Sequence, residues 1–167
     1  MSFATEHFQR FARYSAWANR RLLGACAKLP TADYLRERSA FFKGLHGTLN
    51  HILVADRIWL GRFRGVDHGI VALDEMLCPD LEGLRQAREN EDRNLIEFVD
   101  GLRDADYERI VHFRTMAGEA LSGATGALLA HVFNHQTHHR GQAHDQLSQT
   151  TVAPPPLDLL FYLRDIG

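Results

Sequence analysis

The sequence predicts an all-α four-helix bundle with one long connection and a short C-terminal helix, a single domain over residues 1–167. Three observations predict it. Apolar residues recur at three- to five-residue steps along four long segments, as a core-facing helix stripe requires. All five prolines fall outside those segments. The chain is also long enough to bury one core without disulfide or metal staples. Four such helices with one long link make a bundle, an architecture that builds metal and cofactor sites from side chains on facing helices.

The first helix is expected over residues 3–28, where Phe3, Phe8, Phe11, Tyr14, Ala18, Leu22 and Cys26 form a stripe that Pro30 then stops. A second fits 41–64, with Leu45, Leu49, Ile52, Trp59 and Phe63 on one face and Gly65 following. The third runs over about 80–102, opened by Pro79-Asp80 and rich in charge. The fourth spans about 122–149, with Ser122 as a candidate N-cap. "TVAPPP" breaks it, and "LDLLFYLRD" reads as a short closing helix. Between the third and fourth helices, "ERIVHFRTMAGEAL" places β-branched and aromatic residues around a Met-Ala-Gly turn signal, so a small hairpin is expected there.

Composition narrows the function classes. The chain is 45% hydrophobic and 24% charged, ordinary for a globular protein. Its net charge is −2 and its arginines are interspersed with acids, which argues against a nucleic-acid partner. No apolar run approaches a membrane span, and the N-terminal stretch lacks the apolar core of a signal peptide. Neither Cys26 nor Cys78 sits in a C-x-x-C, Cys26 falls in an apolar helical pattern that fits packing, and a disulfide framework is not expected, in keeping with a cytoplasmic location.

The segment "HVFNHQTHHRGQ" holds His131, His135, His138 and His139. Residues four apart share a helix face, so His131/His135 and His135/His139 are each able to grip one ion. The apolar residues Leu128, Leu129, Val132, Ala143 and Leu147 centre roughly 80° beyond His135 around the helix. His139 lies closest to that direction, within about 40°, and the pair best aimed at the interior is His135 and His139. His144 points away and is expected in solvent. Single histidines on helices are more often surface or satisfied core groups, but an inward pair weakens that reading because unpartnered buried imidazoles are costly. Catalytic zinc-type sites take three protein ligands and leave a position open, so a third must come from another helix.

The second helix offers His46 and His51, on opposite flanks of its stripe, and periodicity does not choose between them. Asp56 occupies the middle of that stripe, a costly place for a carboxylate without a partner. A hydrogen-bonded structural anchor is its plainer role, and orienting a ligand is the sharper one. His7, His68 and His112 have no comparable context. Absences help as well: no E-x-x-H, H-E-x-x-H, G-x-x-x-x-G-K-[ST], G-x-S-x-G or G-x-G-x-x-G occurs. Di-iron bundles, zincin proteases, phosphate cradles and nucleophile elbows are therefore disfavoured.

The blocks "LHGTLNHILVADRIWL" and "HVFNHQTHHRGQ", with "YSAWANRRLL", "FRTMAGEAL" and "APPPLDLLFYL", resemble the DinB-like family of bacterial metal-binding four-helix bundles over nearly the whole chain. The element H-x-x-x-H-R-G-Q, combined with "NHILVADRIW", is the most specific part. The resemblance implies metal ligands at His51, His135 and His139, and a divalent ion, zinc or nickel. It also implies an enzyme class: thiol-dependent transferases and isomerases that use bacillithiol, mycothiol or glutathione as co-substrate. Other members have no established reaction, and some are called damage-inducible only from their expression.

The expected function is thus a metal-dependent transferase that activates a low-molecular-weight thiol for attack on a small electrophile. Tyr14, Trp17 and Asn19 are pocket candidates, although packing and exposure are their plainer roles. A metal-dependent hydrolase is the second reading, with Asp56 the only nameable base and poorly directed. A non-catalytic metal-binding stress protein is the third. Relatives of this kind are frequently dimeric, so a homodimer is a further expectation.

Overall fold

The computed structural model describes residues 2–167. Helix α1 (Phe3–Cys26) starts at Ser2, whose hydroxyl accepts from the Thr5 amide at 3.3 Å. It ends two residues earlier than its stripe suggests, and Pro30 then opens a one-turn helix, α2 (Thr31–Tyr34), which periodicity could not reveal in so short a segment. Helix α3 (Leu45–Arg64) begins four residues later than expected, because Gly44 at φ 148° breaks the path from Phe41. Gly65, in the left-handed region at φ 66°, closes it. Helix α4 (Leu81–Asp100) opens on Asp80, whose carboxylate accepts from the Gly83 amide.

A 3₁₀ turn (Asp104–Glu108) leads into the expected hairpin, β1 (Ile110–Arg114) against antiparallel β2 (Ala120–Ala124), with Arg114 facing Ala120 next to the turn. Gly118 at φ 87° makes that turn. Ser122 lies in β2 opposite His112, so it does not cap the last long helix, which is α5 (Thr125–Ser148) with Ala124 before it. Pairing with β1 holds residues 122–124 extended and delays the helix. The chain closes with α6 (Leu159–Ile166).

Helix α1 packs chiefly on α4 and α5, and α3 on α5 and α4, so α1 and α3 are diagonal in the bundle. The two larger apolar clusters fill most of it. One gathers Leu22, Cys26, Leu49, Leu53, Leu84 and Leu147; the other gathers Phe8, Ala12, Phe63, Val99, Leu129 and Phe133. Both cysteines are free and share the first cluster.

Between the clusters each long helix contributes polar side chains: Ser15 and Asn19, Asp56, Arg88 and Asp92, Gln136 and Arg140, all buried. Arg88 Nη1 donates to Asp56 Oδ2 at 2.6 Å and Nη2 lies 3.0 Å from Asp92 Oδ1. Gln136 Nε2 donates to Asp56 Oδ2 at 2.8 Å, and Asn19 Nδ2 to Asp92 Oδ1 at 2.9 Å. A buried carboxylate is tolerable only with such partners. This layer pins all four helices in one register.

Candidate metal centre

Helices α3 and α5 pack side by side, and their seam carries the histidines. His51 projects from α3, while His135 and His139 project one turn apart from α5. Each offers a ligand nitrogen, and the three nitrogens lie within 4.8 Å of one another. His51 Nε2 and His135 Nε2 are 3.2 Å apart. Two imidazoles on one tetrahedral zinc at its usual bond length hold their nitrogens about 3.3 Å apart. The first pair is thus already at coordination spacing.

The ring orientations fit the same chemistry. His51 Nδ1 donates to the Leu73 carbonyl at 2.8 Å, and His139 Nδ1 donates to Gln142 Oε1 at 2.7 Å. In a neutral ring those bonds leave each Nε2 as a lone pair, which is the state a metal needs. Burial lowers the pKa of His51, overriding the bond to Leu73. Burial, reinforced by His139, His51, His131 and His138, pushes His135 down to about 3. His139 is lowered by burial too. The three rings thus favour the neutral form, the state in which imidazole binds a metal, and their converging nitrogens are a donor set that suits a divalent cation.

Phe42 walls one side. Its ring stacks on His51 at 3.9 Å between centroids and meets His139 edge-on at 5.6 Å. The backbone that delivers it is tight. A side chain on Gly44 would lie 2.7 Å from the Arg36 carbonyl oxygen, and one on Gly47 would lie 2.0 Å from that of Phe42. Only glycine permits either approach.

Other candidates take different places. His46 is fully engaged, accepting from the Tyr34 hydroxyl at 2.7 Å and donating to the Cys78 carbonyl at 2.9 Å. Asp56 is the structural anchor: it binds Arg88 and Gln136 and touches none of the three histidines. Tyr14 donates to the Leu157 carbonyl at 2.8 Å, Trp17 packs against Tyr14 and Tyr162, and Asn19 holds Asp92. These three therefore secure the C-terminal segment and the polar layer, and the structure does not bring them to the histidines. His144 is half-buried and reaches the Pro155 carbonyl at 3.0 Å, where solvent was expected, because the proline-rich tail folds back over it. His138 is exposed and accepts from Gln142 Nε2 at 3.1 Å.

The aim of the histidine pair on α5 also needs correction. His135 and His139 are half-buried at the seam, whereas Gln136 and Arg140 point into the centre at 0% and 2% exposure. The apolar residues alone had put that direction about 20° from Gln136, but a glutamine and an arginine do not announce a core stripe. Gln142, Phe42 and the Leu73 carbonyl were missed as well. Only Gln142 left a signal, its three-residue spacing from His139; the other two are set by loops.

An apolar cleft of about 680 Å³ opens beside His51 and His135. Trp59, Phe113, Leu121 and Leu128 line it, with the hairpin turn Thr115–Ala117 at its rim. His131 stands at its side, edge-on to Trp59 at 5.1 Å. Arg62 is its charged lining residue, and among the described residues no carboxylate borders it.

Comparison with known proteins accords with this architecture. Protein DinB of Bacillus subtilis (strain 168) is 27% identical over 155 residues, which cover 90% of each chain. A model of the DinB family matches residues 1–165. With a family match spanning nearly its full length, four long helices and three histidines converging at the α3–α5 seam, this chain belongs to the DinB family.

Proposed function

We propose that the protein is a divalent-metal-dependent enzyme, with His51, His135 and His139 as ligands to zinc or nickel, that transfers a low-molecular-weight thiol to an electrophilic small molecule. The observation that carries the reading is three converging imidazoles beside an open apolar cleft that His51 and His135 line. When bound, the ion supplies Lewis acidity, which lets a thiol lose its proton at neutral pH. In the transfer, the sulfur forms a bond to an electrophilic carbon and the displaced electron pair leaves with the departing group or settles on the substrate.

The chain's own residues prepare this chemistry. Leu73 and Gln142 hold the His51 and His139 rings with Nε2 forward, and Phe42 keeps water off one face. The apolar walls suit an uncharged, carbon-rich reacting centre. Hydrolysis finds less support, since Asp56 is committed to Arg88 and Gln136 and no carboxylate among the described residues lines the cleft.

The test has two arms. His135→Ala and His139→Ala should abolish stoichiometric zinc or nickel binding measured by elemental analysis, and His144→Ala should leave it intact. Metal-loaded protein should accelerate conjugation of monochlorobimane with bacillithiol, mycothiol or glutathione. Equal metal content in the three variants would refute the ligand set; no acceleration with any thiol would refute the transferase reading.

A further inference from the structure

The cleft beside the histidines is not uniformly apolar. Arg62 is half-buried at one end, its guanidinium carbon 4.6 Å from the Trp59 ring centre and 4.8 Å from that of Phe113. One Nη2–H goes to the Arg114 carbonyl at 2.8 Å, which ties the side chain to the hairpin. Among the described residues no carboxylate lies within ion-pair distance of it. The cation is held in place by two aromatic faces, and its remaining donors have no acidic partner.

We propose that Arg62, Trp59 and Phe113 form an anion-recognising end to this cleft, so that the substrate accepted there is a small organic acid with an aromatic or branched apolar body. This rests on the proposed function in one respect, that the substrate's reactive end lies at the histidines. The geometry sets its length. His51 and Arg62 are eleven residues apart on α3, a rise of roughly 16 Å. Because the Arg62 side chain turns back over Trp59, towards the histidines, the gap left to span is roughly 10 Å. A two-ring skeleton with one carboxylate or sulfonate fills that length. Electrostatics point the same way: an acid leaves no buried charge unpaired, whereas a cationic ligand would face Arg62 with no compensating carboxylate.

A dye and its uncharged parent test this without turnover. 8-Anilinonaphthalene-1-sulfonate carries the sulfonate on the skeleton of N-phenyl-1-naphthylamine. Fluorescence titration of the whole protein with each gives a ratio of dissociation constants. Arg62→Met should shift that ratio against the sulfonate by about tenfold while leaving the parent amine's affinity within twofold, as expected for one half-exposed charge-assisted hydrogen bond. Met116→Glu, on the exposed rim, should also weaken the sulfonate selectively, and it keeps the proposal open to refutation should Arg62→Met not fold. An unchanged ratio in the folded variants would overturn the proposal. Titrations repeated in His135→Ala should give the same ratio, so anion recognition can fail while the metal-site reading stands, and the reverse.

Discussion

Replacing Arg88 with methionine removes the cation at the centre of the bundle. Arg88 and Asp56 are 4% and 3% exposed, and their contact is 2.6 Å. After Arg88→Met, Asp56 keeps only the Gln136 amide as a direct partner, and its second oxygen has none even now among the described residues. Stranding a buried carboxylate in this way costs about 3–5 kcal/mol, a drop in melting temperature of about 10 °C for a chain of this size. Adding Asp56→Asn should restore at least ~2 kcal/mol, because an amide is far cheaper to bury than an unpaired charge. Acid should help too. Burial already raises the Asp56 carboxyl to about 6 against Arg88's opposing charge, and losing that charge raises it further. A folded-state pKa above the unfolded value means that the native state holds a proton the unfolded chain lacks. Stability of the variant therefore rises as pH falls through its folded pKa, levelling off near the unfolded value of about 4. Urea melts of wild type, Arg88→Met and the double variant at pH 7.5 and 5 measure this, and the gap to wild type should narrow at pH 5. A single-variant loss below about 1 kcal/mol, or a double variant no more stable than the single, would refute the reasoning.

The histidine cluster has the opposite pH sign. Its folded pKa values lie below the unfolded value, to about 3 at His135, so the unfolded chain takes up protons first and metal-free protein loses stability as pH falls below about 6.5. Relative to His135→Leu, wild type should lose about 1–2 kcal/mol between pH 6.5 and 5; parallel curves from the two proteins would exclude it. Gly47→Ala drives a methyl group against the Phe42 carbonyl, 2.0 Å away. It should cost about 3 kcal/mol in thermal melts and weaken zinc binding by calorimetry, since Phe42 must leave its stack on His51. His144→Ala removes the bond to the Pro155 carbonyl, a loss of about 1 kcal/mol in the same melts.

Much of this protein is written locally. Helix periodicity located the four long helices to within a few residues, since their apolar stripes are properties of consecutive positions, and the turn residues around Gly118 located the hairpin. Two of the three converging histidines lie four apart on one helix and share a face by rotation alone. The third was not legible this way, because His46 and His51 flank their stripe symmetrically; resemblance singled out His51, and the structure shows why His46 is engaged elsewhere, between Tyr34 and Cys78. That Gln136 and Arg140, rather than the histidines, fill the core side of α5 depended on partners from two other helices, Asp56 on α3 and Ser15 and Asn19 on α1. The wall at Phe42, the carbonyl of Leu73 behind His51 and the arginine-capped cleft are likewise products of assembly. Rotation about one helix axis is fixed by the chain's own geometry, whereas the free energy of a buried polar group depends on what other segments bring to meet it.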